Sequence, residues 1–207
     1  MAARRVLWVI LRGLLRVICL LAFRLRVFGQ NNVPRRGGVL LVSNHQSYLD
    51  PILVGLGLDR SVSYMARKTL FRNRWFGLLI RWCNAFPVDR DERDVSAVRE
   101  AVDRLRDGWC LVVFPEGTRC RDGEIAPFRH GALAIADRVE AAIVPAVVEG
   151  AFEAWPRGRW PWPHPIRVAY GRPITAAERA TMTRDEAVER LRNDMLALQR
   201  QLRQTKM

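Results

Sequence analysis

Short, almost wholly apolar runs alternate along this chain with longer amphipathic segments, and this alternation restricts the fold more than any other feature. Residues 38–42, 109–114 and 142–148 have the composition of buried strands, and residues 61–65 and 166–170 are further strand candidates. Amphipathic or apolar helices are predicted at residues 51–58, 69–82, 92–107, 130–139 and 184–203. Because strands and helices alternate within 207 residues, we predict a single-domain α/β sandwich. Its central sheet would be mostly parallel or mixed and flanked by helices.

The N-terminal residues 6–28 form an apolar, basic segment that is long enough to cross a bilayer. Arg12 and Arg16 interrupt it, however, and each would cost about 2.5–3.5 kcal/mol at the bilayer centre. On a helix these two arginines share one face with Arg5, which leaves a wide apolar arc. This pattern predicts an amphipathic helix that lies in the membrane interface. The alternative is a helix packed on the protein's own core.

The formal net charge of +13 implies an anionic partner. Nucleic acid, phospholipid headgroups and phosphorylated small molecules all fit that requirement, but no nucleic-acid-binding signature is present. The four cysteines form no C-x-x-C pair, and no histidine lies near them at ligand spacing. We therefore expect no zinc site and no disulfide framework, and a reducing compartment.

His45 follows the first apolar run, and Asp50 comes five positions later. The loop after a strand is where α/β sheets bind ligands, and a neutral imidazole there can accept a proton. A carboxylate on the other ring nitrogen would fix its tautomer. An alternative remains open, because Ser47 and Asp50 also fit a helix capping box. Pro51 complicates both interpretations, since it disfavours helical geometry at Asp50.

A second polar string, from Phe114 to Arg119, ends another apolar run. Arg119 could hold a phosphate through a bidentate contact, and Gly117 would allow close backbone approach. The string is equally compatible with a simple turn in which Thr118 caps and Glu116 pairs with Arg119.

Taken together, these strings make the chain resemble the 1-acyl-sn-glycerol-3-phosphate acyltransferase (lysophosphatidate acyltransferase, PlsC-like) family. Four blocks match in the family's order, within residues 44–150: Asn44-His45-x-x-x-x-Asp50; Lys68-x-Leu70-Phe71 through Phe86-Pro87-Val88-Asp89-Arg90; Phe114-Pro115-Glu116-Gly117-Thr118-Arg119; and Val144-Pro145 with Gly150. The chain departs from the family at Cys120, where relatives usually have serine.

The resemblance implies an O-acyltransferase in which His45 is the general base and Asp50 orients it. The residues that it implies in binding the acceptor phosphate are Lys68, Arg90, Glu116, Gly117, Thr118 and Arg119. The implied reaction moves a fatty acyl group from acyl-CoA or acyl carrier protein to the free hydroxyl of 1-acyl-sn-glycerol-3-phosphate. Its product is phosphatidate, as in phospholipid biosynthesis, and no metal or further cofactor is implied.

Other functions would use the same sequence features. The acceptor could instead be glycerol-3-phosphate, a lyso-aminolipid or another lysophospholipid. A more remote alternative is a non-enzymatic basic protein that binds membranes or nucleic acid, although the presence of His45 and Asp50 argues against it.

We expect residues 1–30 to associate with the membrane and residues 31–207 to form the catalytic domain, as a peripheral or monotopic protein on the cytoplasmic face. The partners would be the phospholipid surface, the lysophospholipid and the acyl donor, with no nucleic acid. Trp155, Trp160 and Trp162 would suit the headgroup layer, or could form a rigid, partly buried loop.

Overall fold

The computed structural model describes residues 2–89, 94–128 and 131–205, and it shows a sheet with helices on both faces. The strands are β1 Arg26–Phe28, β2 Val39–Ser43, β3 Val62–Arg67, β4 Ala85–Val88, β5 Cys110–Val113, β6 Ala142–Glu149 and β7 Arg167–Tyr170. The α-helices are α1 Ala2–Phe23, α2 Asp50–Leu56, α3 Arg74–Trp82, α4 Val95–Arg106, α5 Gly131–Asp137, α6 Ala151–Ala154, α7 Ala176–Ala180 and α8 Arg184–Gln204. Short 3₁₀ helices occupy Gln30–Asn32 and Lys68–Phe71.

The seven strands form one mixed sheet in the order β1-β7-β6-β2-β5-β3-β4. The five strands from β6 to β4 in that order run parallel, whereas β7 is antiparallel to β6 and carries β1 parallel to itself at the edge. The predicted α/β class with a mostly parallel or mixed sheet is therefore confirmed. The carboxyl ends of these five parallel strands therefore lie together at one edge of the sheet, where the loops of the site follow them.

The core has one apolar layer on each face of the sheet. Alternate residues of β2 enter opposite layers, with Leu40 and Val42 on one side and Val39 and Leu41 on the other. Helices α4, α5 and α8 cover the first face, and α1, α2 and α6 contribute to the second. A strand buried on both faces reads as an uninterrupted apolar run, which is why β2, β5 and β6 were visible in the sequence.

Helix α1 is only partly packed on the protein. Cys19 is buried in the second layer, but Ile10, Leu14 and Leu21 remain 61%, 55% and 79% exposed. Arg12 donates to the Leu58 carbonyl and forms an ion pair with Asp59 at 3.3 Å. Within the described residues, no helix combines the length and hydropathy that a bilayer crossing requires. Helix α1 therefore packs on the protein along one side and exposes apolar side chains along the other.

The prediction of helix over residues 6–28 was wrong at its end. Helix α1 stops at Phe23, Arg24 has a positive φ of 44°, and residues 26–28 form β1. Strand β1 is hydrogen-bonded to β7, so residues on both sides of the predicted boundary at residue 30 share one sheet.

The segment predicted as one helix over 69–82 is divided in two. Asn73 interrupts it by accepting the Phe76 N–H at 3.0 Å as the N-cap of α3. The short elements β4, α6 and α7 were not predicted as strand or helix. Strand β4 contains Pro87, which weakens a strand signal, and each of the three elements has five residues or fewer.

Candidate active site

The predicted functional residues follow neighbouring parallel strands at one edge of the sheet. His45 lies just beyond β2, Glu116 beyond β5, and Lys68 directly after β3. Parallel strands end at the same edge, so the loops that follow them meet there. The strand order β2-β5-β3 places the Glu116 loop between the other two.

The imidazole and the carboxylate make the contact that the sequence proposed as one of two alternatives. His45 Nδ1 lies 2.8 Å from Asp50 Oδ2. The same oxygen accepts the backbone N–H groups of Gln46 and Ser47, each at 2.6 Å. The Asp50 side chain is fully buried, whereas the His45 side chain is 16% exposed. The carboxylate is thus fixed inside the protein, and the imidazole lies at the surface of the site.

The capping box forms only in part. Asp50 accepts the Ser47 N–H, but the Ser47 hydroxyl accepts Leu49 N–H at 3.4 Å rather than the N–H of Asp50. Helix α2 begins at Asp50, and Pro51 occupies the first turn, where a missing N–H costs no hydrogen bond. The expected conflict between Pro51 and a helical Asp50 is therefore absent.

Burial raises the pKa of Asp50, and the hydrogen bonds from His45, Ser47 and Gln46 oppose that rise. The carboxylate therefore depends on these three donors to remain charged. An ionised Asp50 would accept the proton on Nδ1 and leave Nε2 of His45 with its lone pair free.

The loop after β5 holds His45 from three directions. The His45 backbone N–H donates to Glu116 Oε1 at 3.0 Å, and the His45 carbonyl accepts the N–H of Cys120 at 2.7 Å. The Phe114 ring stacks on the imidazole with centroids 4.2 Å apart and an interplanar angle of 22°. The loop after β5 therefore holds the loop that carries His45 in place.

Glu116 lies beneath His45 and not at the surface of the site. It is 5% exposed, and burial raises its pKa to about 8, with the charge of Asp50 adding to the rise and the His45 N–H opposing it. The predicted pairing with Arg119 is not among its contacts in the described residues. The geometry thus shows a contact of this carboxyl with the backbone of His45.

Arg119 has the features of an anion-binding residue. Its guanidinium carbon lies 3.6 Å from the centroid of the Tyr48 ring, and one buried terminal nitrogen has no hydrogen-bond partner among the described residues. Buried donors are nearly always paired, so this nitrogen is available to a ligand. Thr118 beside it is exposed. Gly117, with φ of 72°, makes the turn that returns its N–H to the Phe114 carbonyl at 3.1 Å.

Arg157 joins the site, although no role at the site was predicted for it. Its guanidinium donates to Thr118 Oγ1 at 3.2 Å and to the carbonyl of Arg119. The neighbouring Trp155 lies beside Tyr48, with ring centroids 5.5 Å apart. The contact spans 38 residues of sequence, so no local pattern could have identified it.

Lys68 lies at the same edge but farther along it. The strand spacing of about 4.8 Å puts β3 two strands, or roughly 10 Å, from β2. Lys68 is largely exposed and forms an ion pair with Asp89 at 3.7 Å. Arg90, the other predicted phosphate contact, lies outside the described residues.

The Asn44 side chain adds one more pair of hydrogen bonds between the end of β2 and strand β6. Its Nδ2 donates to the Val148 carbonyl at 2.9 Å, and its Oδ1 accepts the Val148 N–H at 2.8 Å. These contacts reproduce the pattern of a backbone peptide, so the chain can leave β2 and turn towards His45 while β6 stays paired.

A buried polar network lies behind the His45 loop. The Gly123 carbonyl accepts Gln46 Nε2 at 2.7 Å and Gln199 Nε2, from α8, at 3.1 Å. Gln199 also donates to Glu149, which accepts Arg203 Nε at 2.8 Å. Helix α8 is therefore linked to the loop that carries the imidazole through the Gly123 carbonyl, to which both donate.

Comparison with known proteins identifies the family of this chain. The acyltransferase family model matches residues 24–149. The 1-acyl-sn-glycerol-3-phosphate acyltransferase of Bacillus subtilis (strain 168) is 35% identical over 137 residues, which cover 66% of this chain and 68% of that protein. The chloroplastic 1-acyl-sn-glycerol-3-phosphate acyltransferase LPAT1 of Arabidopsis thaliana is 30% identical over 139 residues, or 66% of this chain and 39% of that protein.

A solved structure shares the fold. The crystal structure of PlsC, the 1-acyl-sn-glycerophosphate acyltransferase of Thermotoga maritima, superposes with a TM-score of 0.78 at 26% identity. The superposition covers 91% of this chain and 75% of that one. From the family match and this shared fold we conclude that the chain is an O-acyltransferase and belongs to the acyltransferase family, among the 1-acyl-sn-glycerol-3-phosphate acyltransferases.

Proposed function

We propose that this enzyme transfers a fatty acyl group from an acyl thioester to the free hydroxyl of 1-acyl-sn-glycerol-3-phosphate, giving phosphatidate. The observation that carries the proposal is the 2.8 Å contact between His45 Nδ1 and Asp50 Oδ2. The unpaired guanidinium nitrogen of Arg119, on the loop that holds His45, supports an anionic acceptor. The names of the relatives support lysophosphatidate in particular.

In this mechanism His45 is the general base and Asp50 positions it. Nε2 removes the hydroxyl proton as the acceptor oxygen attacks the thioester carbonyl, a contribution of typically about 10²–10⁴-fold. Asp50 stabilises the imidazolium that forms. When the intermediate collapses, the carbon–sulfur bond breaks, and the imidazolium returns its proton to the leaving thiolate. The reaction needs no group besides the two substrates.

Arg119 is the proposed primary contact of the acceptor phosphate, with Gly117 and Thr118 beside it. Fixing the phosphate restrains the hydroxyl near His45, and such orientation can lower the barrier by several kcal/mol. Lys68 and Arg90 would extend the site along the edge. For Glu116 we propose a positioning role, because its carboxyl contacts the backbone of His45 and is buried.

We further propose that the apolar face of α1 lies on the phospholipid surface, and that the catalytic domain comprises residues 31–207 together with β1, which joins their sheet. Exposed Ile10, Leu14 and Leu21 supply the apolar contact. A cytoplasmic face would give access to acyl-CoA or acyl carrier protein, and both donors fit a basic protein because both carry negative charge.

The first experiment measures thiol release from palmitoyl-CoA with lysophosphatidate in mixed micelles. His45→Ala is expected to reduce turnover by at least about 10²-fold while the circular dichroism spectrum and melting temperature remain unchanged. His164→Ala is the matched control, since His164 lies outside the site and contacts Pro165.

Substantial activity in His45→Ala would refute the base assignment. Release that requires glycerol-3-phosphate or another lysolipid in place of lysophosphatidate would keep the mechanism but reject the proposed acceptor. Thiol release from palmitoyl-acyl carrier protein, but not from palmitoyl-CoA, would identify acyl carrier protein as the donor.

A further inference from the structure

Helix α3 presents its apolar side to solvent. Trp75, Leu78 and Leu79 are 78%, 54% and 52% exposed, and Gly77 is the one residue of the helix that is buried. Positions i, i+3 and i+4 of a helix share one face, so these side chains form a continuous stripe. Amphipathic helices of soluble proteins turn such a stripe towards the core, and an exposed stripe of this kind marks an interaction surface.

The charges that residues 67–82 carry are all positive. Arg72, Arg74 and Arg81 are exposed, and residues 67–82 contain no aspartate or glutamate. At about 100° per residue, Arg74 and Arg81 lie on the same flank of the stripe. The Arg81 guanidinium carbon lies 4.8 Å from the centroid of the Phe71 ring. Apolar and aromatic side chains bordered by arginine match the boundary between acyl chains and anionic headgroups.

This helix also lies close to the site along the chain. The 3₁₀ helix Lys68–Phe71 leaves the carboxyl end of β3, and α3 follows after two residues. The carboxyl end of β3 belongs to the edge that carries His45. A lipid surface that contacts α3 would therefore approach the edge at which a lipid acceptor has to enter.

We propose that the α3 surface, defined as Leu70, Trp75, Phe76, Leu78 and Leu79 with the arginines that border it, is a second membrane-binding site. Its ligand is an anionic phospholipid bilayer, into which the apolar side chains insert while the arginines bind headgroup phosphates. The proposal is independent of α1, and it stands whichever lysolipid is the acceptor.

A second copy of the chain is a less suitable occupant. A two-fold contact through this surface would place Arg74 and Arg81 near their own copies, with no acidic residue of the segment to neutralise them. An anionic bilayer neutralises the same charges.

The test compares full-length wild type with the double variant Leu78→Ser/Leu79→Ser by flotation with vesicles. One vesicle population contains phosphatidylglycerol in phosphatidylcholine, and the other contains phosphatidylcholine alone. We expect the variant to bind anionic vesicles about tenfold less tightly, because two exposed leucines no longer enter the bilayer. Val95→Ser is the matched control, since Val95 is 67% exposed on α4 and outside the α3 surface.

A second readout locates the contact. Quenching of tryptophan emission by lipids brominated in their acyl chains should be weaker in Trp75→Phe than in wild type, with binding retained. Unchanged binding of the double variant, or equal quenching with and without Trp75, would overturn the proposal. So would a wild-type dimer in sedimentation that the double variant dissociates, because the occupant would then be a second copy. Thiol release with a short-chain acceptor dissolved as a monomer should be unchanged in the double variant, which separates this test from that of the proposed reaction.

Discussion

Glu116 places a carboxyl with a pKa raised to about 8 directly under the backbone of the proposed base. In its neutral form this carboxyl adds no second negative charge beside Asp50. Its Oε1 can accept the His45 N–H in either protonation state. Glu116 thus positions His45 through a hydrogen bond that does not require the carboxyl to be charged.

This placement predicts a pH dependence of stability. The pKa of Glu116 in the folded protein exceeds its ordinary value of 4.5, so the folded state binds this proton more tightly than the unfolded chain. The associated stability is fully present below pH 4.5 and is lost as the pH rises to about 8. Glu116→Gln should remove this loss, which amounts to about 2–3 kcal/mol in the free energy of unfolding between pH 6 and pH 8. Urea denaturation at both pH values measures it.

The same variant separates the two roles considered for Glu116. A glutamine oxygen still accepts the His45 N–H, so Glu116→Gln should retain most of the turnover, whereas Glu116→Ala should not. Equal pH dependence in wild type and Glu116→Gln would contradict the buried, proton-binding state of this carboxyl.

Residue roles were predictable where one local string contains both partners. His45 and Asp50 are five positions apart, and the structure brings their side chains together. The contacts of Glu116 and Arg157 join segments 71 and 38 residues distant, so they depend on the strand order. A sequence shows that a carboxyl is present but not which side of a loop it faces, so the contact of Glu116 with the His45 backbone was not predicted. The phosphate-binding role of Glu116 came from the family resemblance and stays a prediction.

At the scale of elements, α8 stabilises the site through its last turns. Arg203 forms ion pairs with Glu149 at 2.8 Å and with Glu124 at 2.9 Å. Glu149 is largely buried and also accepts Gln199. The helix was predicted from its apolar stripe alone, which shows the packed face and gives no sign of this polar connection.

We expect Arg203→Ala to destabilise the protein by about 1–2 kcal/mol, because Glu149 would lose its charged partner in a mostly buried position. It should also lower kcat more than it raises the KM for the acceptor, since Gly123 would hold Gln46 and the His45 loop less firmly. Urea denaturation and steady-state kinetics measure the two effects.

Arg200→Ala is the matched control on the same helix, because Arg200 donates only to the Leu196 carbonyl within the described contacts. If both variants lose the same stability and turnover, the network does not support the site.

Elements were predictable from the sequence in proportion to their burial. Strands β2, β5 and β6 lie in the middle of the sheet, and their apolar runs follow from burial on both faces. Helix α3 is also rich in apolar residues but is exposed. Its amphipathic pattern predicted a helix, which the structure divides at Asn73, but the pattern did not show what the helix contacts. Periodicity identifies an apolar face; the fold determines whether the protein itself covers that face.

On the scale of the whole molecule, the net charge of +13 predicts that binding of the enzyme to an anionic surface depends on the salt concentration. We expect its binding to phosphatidylglycerol vesicles to weaken steeply as NaCl rises from about 0.05 M to about 0.5 M, because the Debye length falls several-fold over that range. Flotation at a series of salt concentrations measures this dependence. Vesicles of phosphatidylcholine alone serve as the control and should show little change. Salt-independent binding to anionic vesicles would mean that apolar insertion alone holds the protein on the membrane.

The arrangement of the whole site depends on the side-chain amide of Asn44, a group that can be hydrolysed. The two atoms of the Asn44 side chain that face Val148 differ only in that one donates and the other accepts. Hydrolysis of this amide before folding would leave a carboxylate oxygen against the Val148 carbonyl, two acceptors in a dry setting. Such a chain would keep His45, Asp50 and Arg119 intact and still be unable to present them. Deamidation of Asn44 before folding would therefore remove activity although the proposed catalytic residues are unchanged.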